Sequence, residues 1–159
     1  MTLRIRAGEA SDVHLIADLI RALARFEKLE DQVTMTEERL AASLFGPRPY
    51  AETLIAEEDG APVGFALFFH SFSTFLAQPG IYLEDLFVVP GQRGRGTGHA
   101  LLAELARVAL KRGCGRLEWA VLNWNRDAIG FYERLGARPN TEWAVYRLAG
   151  EALSSLGRE

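Results

Sequence analysis

Two carboxylates stand inside an otherwise apolar run, Glu84 and Asp85 in "IYLEDLFVV", Ile81 to Val89. A carboxylate in apolar surroundings is costly unless it is paired or hydrogen-bonded. Side chains alternate along a strand, so strict alternation points the two to opposite faces. Directly after the run, Gly91, Gly94, Gly96 and Gly98 are interleaved with Arg93 and Arg95, and a helical pattern begins at once. Glycine reaches positive φ cheaply and lets a ligand approach the main chain. The N–H groups at a helix start have no intrahelical partner and favour an anion. With two arginines added, a phosphate-bearing ligand is expected. Two familiar phosphate loops fail here. Gly91 and Gly96 have P-loop spacing, but Thr97 stands where the lysine belongs. Gly94 and Gly96 begin a dinucleotide fingerprint, but His99 takes the third glycine position.

The elements that must position these residues follow from periodicity and punctuation. Leu3 to Arg6 alternates as a short strand. Ser11 is placed to cap a helix whose Leu15, Ile16, Leu19, Ile20, Leu23 and Phe26 recur at helical spacing. Thr36 is placed to cap a second helix, with Glu37 and Glu38 in its first turn, ended by Gly46, Pro47 and Pro49. Strands are predicted over 50–57 and 62–69 around the turn "EDGAP", and over 81–89. A helix follows over 97–112, with Gly113 as its left-handed cap. A strand over 116–122, a helix between Asn125 and Gly136, and a last strand over 142–148 complete the chain. Strand 81–89, helix 97–112 and strand 116–122 form a crossover unit, so those strands are expected parallel. The earlier hairpin adds antiparallel strands. The fold class is α/β (α+β): a mixed, mostly antiparallel twisted sheet with helices on both faces.

The bulk properties narrow the setting. The chain has 159 residues, a span that suits one domain. A net charge of −3 gives no support to nucleic-acid binding. The lone cysteine, Cys114, fits a reducing compartment, and no apolar run has signal-peptide or membrane-span length. A cytoplasmic protein without membrane or nucleic-acid partners is expected. His14, His70, His99 and Cys114 lack metal-ligand spacing, so no metal is expected. Glu30, Asp31 and Glu57 to Asp59 read as solvated charge. Phe65, Phe68, Phe69, Phe72 and Phe75 read as core plus an interface or pocket wall, and Trp124 and Trp143 as packing residues.

"RGRGTG", Arg93 to Gly98, resembles the Q/R-x-x-G-x-G/A turn of the GNAT superfamily of N-acetyltransferases. "YLEDLFVVPGQRGRGTG" and "NWNRDAIGFYERLGA" occur in order, with "LARFEKLEDQVTMTEERL" upstream. Together these blocks look like the spermidine/spermine branch, which includes thialysine acetyltransferases. The similarity runs over nearly the whole chain and thins after Gly136.

The resemblance implies a GNAT fold of six to seven strands over 1–159 as one acetyltransferase domain. Its cosubstrate is acetyl-CoA, and its acceptor is a primary amine on a small cation: a polyamine, a diamine or a thialysine-like molecule. Such an amine is mostly protonated near pH 7, since its pKa is about 10, and must lose a proton to attack a thioester. The leaving thiolate profits from a nearby acid. By resemblance, Glu84 holds the amine and relays its proton through water, and Tyr132 is the acid. Tyr132 follows Asn125 by two helical turns, so the two are expected to face one groove. The backbone at Leu86, Phe87 and Val88 would meet the acetyl carbonyl and the pantetheine arm. Arg93, Gly94, Arg95, Gly96, Thr97, Gly98 and His99 would hold the diphosphate, and Asn125, Ala128, Phe131 and Tyr132 would also line the cofactor. Phe26, Glu27, Asp85, Glu118, Trp119, Ala120 and Glu142 match acceptor-site positions. Strand amides are spare only where the neighbouring strand diverges, so strands 81–89 and 116–122 are expected to part, with a bulge as the device. No activated nucleophile is visible, so direct transfer is expected. The family commonly forms homodimers. A protein-lysine or N-terminal acetyltransferase and a non-catalytic CoA-binding module remain the alternatives.

Overall fold

The computed structural model describes residues 2–159, which form two units divided after Ala120. In the first unit the alternating start is β1 (Leu3–Ala7), and the first helix is α1 (Val13–Phe26). Ser11 does not cap α1. A 3-10 turn, Ala10–Asp12, precedes it, and the Asp12 carboxylate accepts from the Glu9 N–H at 2.7 Å and from both ends of the Arg6 guanidinium at 2.8 and 2.9 Å. The helix start shifts to Asp12, whose carboxylate is held by these charge-assisted bonds and makes no cap bond to α1. Arg6 also pairs with Glu57 at 3.1 Å, and Glu58 pairs with Arg95 at 3.6 Å, so these two glutamates are not solvated surface charge. Thr36 does cap α2 (Glu37–Phe45), accepting from the Arg39 N–H at 3.2 Å.

The strands β2 (Glu52–Glu58) and β3 (Ala61–Ser73) join through Asp59 and Gly60, whose φ values are 51° and 84°. That pair of left-handed residues suits a tight hairpin. β3 runs beyond the 62–69 expected of it, because β4 (Gln78–Val88) pairs with it down to Ser73. α3 (Thr97–Lys111) follows the glycine turn and stops at Gly113 (φ 72°), where the Cys114 N–H reaches back to the Ala109 carbonyl at 2.9 Å. β5 (Leu117–Trp119) is shorter than the predicted 116–122.

The sheet runs β1-β2-β3-β4-β5, antiparallel through β4, with β4 and β5 parallel. Period-2 alternation divides its side chains between two layers. Phe65 and Phe87 pack with Leu19 and Leu23 of α1 on one face. Phe68 lies on the other, with the Arg112 guanidinium at the end of α3 over its ring at 5.9 Å. Helices therefore cover both faces. Of the aromatic cluster, Phe65 and Phe68 are core, whereas Phe72 and Phe75 are exposed at the β3–β4 hairpin.

The second unit, Val121–Glu159, holds α4 (Arg126–Arg134) and α5 (Gly150–Leu156). Asn125 caps α4 as expected, accepting from the Ala128 N–H at 3.3 Å, and Gly136 (φ 92°) follows its end. The strand predicted over 142–148 is not formed. Trp143, Val145 and Tyr146 are 75, 96 and 95% exposed, and Trp124 is also exposed. Alternation makes a segment competent for a strand, but ladder hydrogen bonds require a partner. The described sheet accordingly has five strands instead of six or seven. Among the described residues no helix is long and apolar enough to cross a membrane.

Candidate active site

β4 and β5 pair only from Ile81–Leu117 to Leu83–Trp119. β4 continues to Val88, so among the described residues its edge from Glu84 onward has no strand beside it on the β5 side. The expected bulge is present on the other edge. Leu83 pairs with Phe68 and Asp85 with Leu67, which leaves Glu84 as an extra residue in the ladder. This insertion overturns strict alternation. Without it, Asp85 would share the α3 side with Phe68. With it, Asp85 lies on the side of Leu67 and Phe87, the face packed by α1. Glu84 itself is exposed.

The electrostatics follow from that placement. Burial pushes the Asp85 carboxyl up to about 7, helped by the negative fields of Glu84 and Glu27. Burial also raises Glu27, the residue just after α1. The Tyr82 hydroxyl is raised by burial and by the fields of Glu84 and Glu118. A patch of negative potential thus lies on the α1 side of β4, bordered by the rings of Phe26 and Phe87, whose centroids are 6.5 Å apart. Glu118 is partly offset by Arg116 at 3.2 Å, Trp119 is half-buried beside it, and Ala120 is exposed at the unit's end. Tyr82 was not singled out by sequence reasoning. The signal was there, since it stands two residues before Glu84 on an alternating strand.

The open edge of β4 selects among its amides. The Val89 N–H donates to the Val63 carbonyl of the β3 side at 2.9 Å. Alternate amides of a strand point the same way, so the Phe87 N–H also faces β3, and those of Leu86 and Val88 face the open edge. Of the three amides expected to meet the cofactor, that of Phe87 is therefore turned to β3, and its ring is buried against α1.

The turn after β4 has the backbone its glycines were read to supply. Gly91, Gly94 and Gly96 have φ of 89°, 77° and 85°. A Cβ added at any of them would meet nothing within 4 Å, so conformation and not crowding requires glycine. Gly96 caps α3 in a left-handed conformation with no side chain to satisfy the helix start. The first i→i+4 bond is Ala100 N–H to the Gly96 carbonyl, which leaves the amides of Thr97, Gly98 and His99 without helical acceptors. Thr97 is buried and His99 exposed. Arg95 reaches Gln92 at 3.2 Å as well as Glu58. Arg93 donates its Nε to the Val88 carbonyl at 2.9 Å and stacks over the Phe26 ring at 4.2 Å. Nothing in the sequence pattern foretold that stacking. This cradle fits a diphosphate: helix-start amides, left-handed glycines and two arginines.

In the second unit Asn125, Ala128, Phe131 and Tyr132 are all on or capping α4. The Phe131 and Tyr132 ring centroids are 5.5 Å apart and both residues are half-buried. The Asn125 side chain is already committed to the Ala128 N–H. Glu142 is exposed in a turn ahead of the irregular segment that leads to α5.

A mixed sheet whose parallel pair ends over an open strand edge, followed by an anion-ready turn into a helix, suits a transferase that takes a diphosphate-bearing donor. The acetyltransferase (GNAT) family matches residues 16–137, and the chain belongs to that family. It is an acyltransferase, and the family uses acetyl-CoA as cosubstrate. The chain is 42% identical to the thialysine N-epsilon-acetyltransferase of Bos taurus, over 96% of this chain and 95% of that protein. It is 32% identical to the L-ornithine N5-acetyltransferase of Arabidopsis thaliana, over 98% and 88%. Among solved structures, an integron cassette protein from V. cholerae superposes with a TM-score of 0.84 at 28% identity, over 100% and 99% of the two chains.

Proposed function

We propose that 1–159 acts as one acetyltransferase domain that moves acetyl from acetyl-CoA directly to the terminal primary amine of a small cation of the thialysine or ornithine kind. The observation that carries the acceptor class is the cluster of Glu27, Glu84 and Asp85, whose negative fields meet at Asp85 beside the unpaired edge of β4, with Phe26 next to Glu27 at the end of α1. Carboxylates and an aromatic face suit an aliphatic ammonium through Coulomb and cation–π attraction. The two relatives named above carry acceptors of that chemistry in their names.

Acetyl-CoA supplies the activated acetyl group and a thiolate leaving group. The Leu86 and Val88 amides orient the thioester arm along the open strand edge. The amides of Thr97, Gly98 and His99, with Arg93 and Arg95, hold its diphosphate, and Asn125, Ala128 and Phe131 belong to the cofactor's binding residues. Glu27 and Asp85 hold the ammonium, and a bound cation favours the charged form of Asp85. Glu118, Trp119 and Ala120 complete the acceptor's neighbours on the first unit, and Glu142 keeps its acceptor role on resemblance alone. Glu84 takes the ammonium's first proton through water, the nitrogen forms its bond to the acetyl carbon, and the carbon–sulfur bond breaks. Tyr132 gives its hydroxyl proton to the departing sulfur, a role that rests on its motif. The second nitrogen proton leaves as the amide forms and restores the Tyr132 hydroxyl through solvent. A homodimer in the cytoplasm belongs to the same reading, on the family resemblance and the lone cysteine.

The test is thiol release from acetyl-CoA against thialysine, ornithine and spermidine. Acetylation of at least one amine is expected, with Glu84→Gln raising the amine KM and lowering kcat, and Tyr132→Phe lowering kcat at unchanged acetyl-CoA affinity. Binding of CoA without transfer to any of the three would replace this reading with that of a CoA-binding module.

A further inference from the structure

Arg93 belongs to the diphosphate turn, yet its side chain points away from that role. Its guanidinium carbon lies 4.2 Å from the centre of the Phe26 ring and 5.5 Å from that of Phe87. Its Nε donates to the Val88 carbonyl at 2.9 Å. Val88 lies on the open side of β4, the side left without a strand partner, and Phe26 ends α1 immediately before Glu27. One cation therefore sits on the strand edge assigned to the thioester arm and on the aromatic face assigned to the acceptor.

We propose that Arg93 is an internal stand-in for the substrate's ammonium. It holds the Phe26 face until acetyl-CoA draws it to the diphosphate. The proposal rests on the acetyl-transfer reading above. Physically it is a competition between two partners for one cation. Stacking on an aromatic face plus one carbonyl hydrogen bond is worth less than a charge-assisted, bidentate bond to a phosphate. The diphosphate wins when present. Moving the guanidinium opens the Phe26 face to the incoming cation. An amine meeting the cofactor-free enzyme must displace Arg93 first. The consequence is a preferred order: acetyl-CoA, then amine. Because linkage is reciprocal, the amine also strengthens CoA binding by the same factor.

The test measures thialysine binding by calorimetry without CoA and with saturating CoA, in the wild type, Arg93→Gln and Arg93→Lys. CoA carries no acetyl group, so no turnover confuses the reading. In the wild type CoA is expected to tighten thialysine binding about tenfold, the scale of a cation–π contact plus a hydrogen bond. In Arg93→Gln, thialysine binding without CoA is expected to rise to nearly the CoA-bound value, so the ratio falls toward one. Arg93→Lys, which keeps the charge, is expected to retain part of the ratio. Phe26→Leu weakens thialysine binding in both states, which places the ring in the acceptor site. Unchanged CoA-free affinity in Arg93→Gln, or a ratio of one in the wild type, overturns the inference and leaves acetyl transfer standing. Failure of the wild type to bind CoA or to acetylate any of the three amines overturns both.

Discussion

Asp85→Asn offers a direct measure of the site's electrostatics. Burial and the fields of Glu84 and Glu27 lift the Asp85 carboxyl from 3.8 to about 7. An acid raised on folding is harmless while protonated and destabilising once ionised. Below pH 3.8 folded and unfolded chains both carry the neutral acid, and nothing is lost. As pH rises from 3.8 toward 7 the unfolded chain releases its proton and the folded one resists, so stability falls. Above 7 the cost is complete, at about 4 kcal/mol from 1.36 kcal/mol per tenfold change. Asparagine keeps the shape without the charge. The variant is expected to be more stable than the wild type by about 2–4 kcal/mol at pH 8, with the advantage vanishing near pH 4. Urea unfolding followed by circular dichroism at pH 4, 6 and 8, without ligand, gives the comparison. The same variant should bind a cationic amine less tightly. A variant equal to the wild type at every pH, or weaker at pH 8, would refute the argument that the bulge turns Asp85 into a buried, negatively biased site.

Three further outcomes follow from the same structure. Asp12→Ala leaves Arg6 and the Glu9 amide without their shared acceptor and is expected to cost about 3 kcal/mol by denaturant unfolding. Arg6 holds Asp12 below the usual carboxylate range, so its contribution is present above about pH 4 and lost as pH falls through the folded value, and acid titration of the two proteins should converge at low pH. Gly96→Ala forces a side chain into a φ of 85° and is expected to cost about 1 kcal/mol in stability and at least about tenfold in CoA affinity by calorimetry. Arg112→Met breaks a two-bond pair with Glu52, at 2.8 Å each, and is expected to lower stability by about 1 kcal/mol, less at high salt, in thermal unfolding at two ionic strengths.

Local signals carried much of the fold. Thr36, Asn125 and Gly113 act at helix ends because capping is decided within a few residues. The glycine turn was legible for the same reason: positive φ at Gly91, Gly94 and Gly96 is a property of the chain's own covalent geometry. The cap of α1 shows where such reasoning ends. Asp12 stands at the N-cap position, but its carboxylate is spent on Arg6, on another element, and on the Glu9 N–H, so no side chain caps the helix.

The sequence by itself determined the order of strand, turn and helix, the parallel relation of β4 and β5, and which residue types are suited to an anion and to a cation. These depend on periodicity, glycine content and charge, which are written locally. Only tertiary structure decided that Glu84 is inserted into the ladder and carries Asp85 to the α1 face, that pairing with β5 stops at Trp119, that 142–148 stays unpaired, and that Arg93 lies on Phe26. Each of these is a choice of partner, settled by competition between surfaces far apart in the chain, and no local pattern records which partner wins.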